Sequence, residues 1–155
     1  MQSPEGPFLA TAVLCEKVLR EADGAFSAIR VFDRLTVTAA SGQPMSVDVP
    51  RPPMHFFLWI SFRAGAARGK ASIGVKIERP DGIVRDVGLG APILFEGEER
   101  AANVVVELHV TFELDGLYWF QVVLDEELIT KIPLRIVTLV QQLPLVQPED
   151  SGKPW

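Results

Sequence analysis

Three Asp-Gly pairs, Asp23-Gly24, Asp81-Gly82 and Asp115-Gly116, punctuate this chain, each between runs of alternating or β-branched apolar residues. Glycine accepts the positive φ of a tight hairpin turn, and an aspartate beside it can bond its own backbone. From about residue 9 to residue 138 the chain therefore reads as strand, turn, strand, and an all-β fold is expected. The clearest two-residue period spans 103–114. Val104, Val106, Leu108, Val110, Phe112 and Leu114 share one face; Val105, Glu107, His109, Thr111 and Glu113 share the other. In 54–62, Phe56, Leu58, Ile60 and Phe62 oppose His55, Phe57, Trp59 and Ser61. Ala71, Ile73, Val75 and Ile77 alternate with polar or small residues in the next run.

Other strands are expected at 9–19, 26–38, 83–87, 117–124 and 128–140, with short ones at 45–49 and 93–95. The helix formers of 9–19 also suit a helix, but Asp23-Gly24 then closes a hairpin only if that segment is a strand. Glycines, prolines and acids make 39–53 and 88–101 read as irregular connections, and Gly65 to Gly69 as a turn. No long helical pattern separates the strands, which argues against βαβ units. About eight strands at this spacing predict an antiparallel β-sandwich, with a closed barrel as the alternative. Phe56, Leu58, Ile60, Val106, Leu108, Val110, Tyr118 and Phe120 form the expected core. Residues 1–8 and 141–155 are expected to be disordered flanks of one domain at 9–140.

Asp115-Gly116-Leu117-Tyr118-Trp119-Phe120 resembles the tyrosine corner of immunoglobulin-like sandwiches, without the cysteine two residues on, where Phe120 stands. A wider resemblance covers roughly residues 9 to 138. Ala12-Val13-Leu14-Cys15-Glu16 and the run from Gly24 to Arg34 resemble the opening of a family of small bacterial proteins of unknown function. Gly116 to Phe120, Asp125 to Glu127, and Pro133-Leu134-Arg135-Ile136 are similar to its closing stretch. The sequence departs from the family at Ala28, where glycine is usual. The resemblance implies an immunoglobulin-like sandwich and a bacterial source, and no activity.

The 155 residues carry a formal charge of −5 and no basic block, so no nucleic-acid partner is expected. Arg63, Arg68 and Lys70 read as a solvated hairpin tip. A single cysteine, Cys15, allows no internal disulfide and fits a reducing compartment. The acidic N-terminal flank and the short apolar run before Cys15 do not make a signal peptide, and no apolar run is long enough for a membrane helix. A cytoplasmic location with no membrane partner follows as the expectation.

No catalytic constellation is evident. Cys15 lacks a basic neighbour that would activate it and is expected to be buried and unreactive. His55, His109, Glu107 and Glu113 could converge on a metal only if their two strands were adjacent; without a recognised ligand spacing, no metal is expected. Glu96, Glu98 and Glu99, near Asp86, lack the ordered spacing of a calcium loop, and Gly88-Leu89-Gly90 is no phosphate loop. No catalytic residue, cofactor or metal ligand is nominated, and the chain is not expected to be an enzyme.

The remaining signal is surface. With Phe56, Leu58 and Ile60 inward, Phe57 and Trp59 point outward, and Trp119 poses the same question on another strand. A hydrophobic content of 48% leaves apolar side chains for an interface. The expected function is a non-catalytic protein-interaction module, binding a protein partner or itself. Its surface would be Phe57, Trp59 and Trp119, or the edge of the last strand, where Pro133 removes a donor. Against this, the first strand or the segment 88–101 could cover the aromatics. The alternative function is a small-molecule or carbohydrate-binding or enzymatic β-domain using a loop-rich end near 88–101.

Overall fold

The apolar alternation produces seven strands in the computed structural model, which describes residues 5–40 and 51–141. They are β1 (Phe8–Arg20), β2 (Phe26–Val31), β3 (Arg34–Ala40), β4 (Met54–Glu78), β5 (Val84–Val110), β6 (Gly116–Leu124) and β7 (Glu127–Gln141). Among the described residues there is no helix, hence none long and apolar enough to cross a membrane. The short strand expected at 45–49 lies outside the described residues, as do 1–4 and 142–155. The hydrogen-bonded order is β2-β1-β4-β6-β7-β3, with β5 paired to β4.

Two strands turn this single hydrogen-bonded sheet into two layers. β4 has 25 residues and β5 has 27. In its first limb β4 takes β1 on one side, from Phe8↔Arg63 to Cys15↔Phe57, and β5 on the other, from Met54↔Val110 to Arg63↔Ala101. In its second limb β1 is replaced by β6, from Ile73↔Leu124 to Glu78↔Trp119, while β5 continues from Gly69↔Phe95 to Glu78↔Val84. The ribbon bends between the limbs, where the register slips and Gly65, Gly69, Gly97 and Glu98 take φ of 59°, 101°, 85° and 57°. Gly65 is required there: a Cβ would stand 2.5 Å from the Glu5 carbonyl oxygen. That same oxygen accepts the Ala66 N–H at 2.7 Å. The first layer is thus β2, β1 and the first limbs; the second is the second limbs, β6, β7 and β3. They face each other across one core, where Phe56 of β4 meets Phe120 of β6 with ring centroids 5.9 Å apart.

The bend corrects one sequence expectation. Residues 88–101 and Gly65 to Gly69 are strand with bulges, because glycine bends a paired ribbon here instead of ending it. Asp23-Gly24 and Asp81-Gly82 close hairpins as expected. Gly24 and Gly82 take φ of 89° and 86°, and Asp23 and Asp81 accept the N–H groups of Ala25 and Ile83. Asp115-Gly116 differs: β5 and β6 do not pair, and the turn carries the chain from one layer to the other. The expected strand 26–38 also changes layer, at Phe32-Asp33. The Phe32 N–H donates to Leu14 O in β1 at 3.1 Å, and Asp33 O accepts the Arg135 N–H of β7 at 3.0 Å. β3 then runs parallel to β7, the exception among otherwise antiparallel pairs.

The expected core residues are buried, apart from Val106, which is half-buried and packed against the core. The tyrosine corner is present. The Tyr118 hydroxyl donates to Leu114 O at 2.7 Å and accepts the Leu114 N–H at 3.1 Å. Burial pushes the hydroxyl's pKa up, against the Leu114 hydrogen bond and the positive charges of Arg79 and Arg51. Two face-to-face layers plus this corner make the fold an immunoglobulin-like β-sandwich.

Candidate functional site

β5 bonds to β4 alone, so its other side is unpaired from Val84 to Val110 among the described residues. The two limbs of that edge differ. The second-layer limb and the bend carry Pro92, the Gly97-Glu98 bulge and the charges Arg85, Asp86 and Glu96, features that blunt an edge against pairing. The first-layer limb, 102–110, has no proline or glycine. Its inward residues Ala102, Val104, Leu108 and Val110 are buried, while Val105, Glu107 and His109 are exposed. The last strand, expected as the edge, has β6 on one side from Glu127 to Ile136 and β3 on the other from Arg135 onward, so its Glu127–Leu134 part keeps an open side among the described residues.

Register then assembles a cluster that the sequence made conditional on adjacency. His55 of β4 lies directly opposite His109 of β5, and their rings stack with centroids 4.4 Å apart, 7° from parallel. The two-residue period puts Glu107 on the same face as His109. One carboxylate oxygen, Glu107 Oε1, lies 2.6 Å from His55 Nε2 and 3.4 Å from His109 Nε2. Glu113 does not join them; its carboxylate takes Arg79 at 3.3 Å.

The three aromatic candidates do not form one patch. Phe57 and Trp59 lie half-buried on the outer face of the first layer, Trp119 half-buried on the outer face of the second. Trp59 donates its indole N–H to Asn103 Oδ1 at 3.0 Å and stacks on Phe26 at 5.9 Å. Trp59 pairs with Val13, and Phe26 pairs with Arg20 further along β1. A straight strand would separate those positions by roughly 23 Å at 3.3 Å per residue. The β1–β2 hairpin must therefore fold back over β4, which lays Phe26 of β2 on Trp59; the tryptophan stays half-buried. Cys15, opposite Phe57, is fully buried, and burial pushes its thiol pKa up against the Lys17 backbone hydrogen bond.

A cleft of about 190 Å³ opens where the layers part, lined by Ile77, Arg79, Arg85, Val87, His109 and Tyr118 among others. It lies at the two ends of β5 and not at 88–101. Arg79 is held there by Asp81 at 3.0 Å and by Glu113, with its Nε buried and unpartnered among the described residues. Nearby, Asp115 accepts the Thr138 N–H at 2.9 Å, the Thr138 hydroxyl at 2.7 Å and Arg51 at 3.1 Å. Desolvation would raise its carboxyl, but those donors outweigh it and hold the pKa below the usual carboxylate range.

A model of a family of unknown function (DUF6941) matches residues 10–137. A search of curated proteins finds no match. The solved structures similar to this chain include the following two. The alkylpurine DNA glycosylase AlkC of Pseudomonas fluorescens, bound to DNA containing an abasic site analog, is 10% identical with a TM-score of 0.44. That match covers 67% of this chain and 27% of the glycosylase chain, so this chain spans about a quarter of that length. An immunoglobulin-like protein of Pseudomonas aeruginosa is 12% identical with a TM-score of 0.35, over 82% of this chain and 97% of that one.

Proposed function

We propose that this chain, which belongs to the DUF6941 family of unknown function, is a non-catalytic protein-interaction module that takes its partner along the first-layer edge of β5. The observation that carries the reading is the unpaired outer side of 102–110 among the described residues. An unpaired strand of regular alternation offers backbone donors and acceptors to an added strand, and exposed side chains give that pairing its specificity. Val105, 40% exposed, is the apolar side chain on that edge best placed to anchor it. The aromatic face is the weaker alternative surface, because the β1–β2 hairpin already stacks on Trp59.

The other functional reading, a ligand-binding or enzymatic domain, meets paired strand in place of its loop at 88–101, and the cleft at the ends of β5 measures about 190 Å³. Small-molecule sites are usually larger, roughly 300–1,000 Å³.

Light scattering at high micromolar concentration reads self-association, and co-purification from the source cell reads a separate partner. Val105→Lys should weaken whichever is found, and Trp119→Ser, on the opposite face, should not. Loss with Trp119→Ser and none with Val105→Lys would move the contact off β5 and overturn the assignment.

A further inference from the structure

We propose that His55, His109 and Glu107 form a binding site for a divalent transition-metal ion, with zinc the ion that best suits the ligands. The chain has only two histidines, 54 positions apart, and the fold sets them directly opposite each other on adjacent strands. Glu107 completes a triangle on the same face. One atom from each side chain, all within 4.8 Å of one another, is available as a ligand. Two positions on one strand and the facing position on its neighbour are held by the ladder itself, so the backbone geometry does not depend on a loop.

Two imidazoles and one carboxylate suit zinc, copper or nickel, whereas calcium and magnesium need a shell of oxygens that this face lacks. The fit asks for modest side-chain movement. Zinc sits about 2.0–2.1 Å from histidine nitrogen, which brings tetrahedral ligand atoms to roughly 3.3 Å from one another. His109 Nε2 and Glu107 Oε1 are already 3.4 Å apart. The stacked rings must turn so that both nitrogens converge. Their side chains, 49% and 62% exposed, are free to do so. Three protein ligands leave a fourth position for water.

The ordinary alternative is a surface histidine–glutamate ion pair. Calorimetric titration with zinc chloride separates the two, using the full chain without an affinity tag and stripped of metal. One ion per chain is expected, with affinity falling about tenfold or more in His55→Ala, His109→Ala and Glu107→Gln. All three side chains are exposed, so circular dichroism and melting should match the unaltered protein. If a variant does misfold, the unaltered protein still decides the question by NMR, where zinc should shift the ring resonances of both histidines together at one equivalent. No uptake at millimolar zinc, or uptake indifferent to both histidine substitutions, would overturn the site.

Discussion

Tyr118→Phe removes one oxygen atom from the corner that ties the crossing between layers to β6. The ring is 2% exposed and packs edge-on against Phe112 with centroids 4.9 Å apart, so phenylalanine fills the same space. What is lost is a pair of hydrogen bonds, to Leu114 O at 2.7 Å and from Leu114 N at 3.1 Å. A typical internal hydrogen bond contributes about 1 kcal/mol net, and a buried partner left unsatisfied costs about 1–3 kcal/mol. Leu114 is 37% exposed, so water can reach part of its backbone and the cost stays near the sum of the two bonds. The expected loss is about 2 kcal/mol, or about 4–8 °C in Tm for a domain of this size. Urea denaturation should show a lower midpoint with an unchanged slope, since the surface exposed on unfolding is the same. A change below about 0.5 kcal/mol, the range of ordinary surface substitutions, would mean that the corner does not hold the crossing and would refute the reasoning.

Cys15 should react with a thiol reagent in native protein only as fast as the fold opens, because the side chain is fully buried and burial disfavours the thiolate; stoichiometric labelling within seconds would contradict this. Asp115 has a folded-state pKa held below its usual value, so its stabilisation is present above the unfolded pKa and fades as pH falls through the folded one. In denaturation series taken down through about pH 4, Asp115→Asn should begin less stable than the unaltered chain and converge on it; a constant gap down to low pH would show that the carboxylate charge is not what matters.

Local signals in the sequence translated well. The Asp23-Gly24 and Asp81-Gly82 hairpins, the inward faces of 54–62 and 103–110, and the hydroxyl contacts of Tyr118 depend on neighbours in the chain, and each is visible in residue type and period. The bends in β4 and β5 were not legible, because the glycines that bend a paired ribbon have the same composition as those that end one. Asp115-Gly116 has the residues of a hairpin turn yet joins two layers, since nothing local tells a turn which strands it connects. Long-range register is the deepest gap. His55 and His109 are ordinary outward residues until β4 and β5 are known to be neighbours, and Trp59 is an outward aromatic until the hairpin carrying Phe26 folds back over it. Which edges stay free is likewise a property of topology: Pro133 suggested β7, whose 127–134 part does keep an open side among the described residues, but nothing local pointed to the open side of β5.

Hydrogen exchange along 102–110 tests the central claim most directly. In an antiparallel edge strand, alternate amides point to the neighbour and to solvent. With β4 on one side and no described strand on the other, every second amide of this limb should exchange as fast as exposed backbone, while its neighbours are protected to near the global stability. Addition of a partner strand should then slow the fast set selectively. Uniform protection of both sets in the isolated monomer would mean that the edge is already covered and would contradict the account.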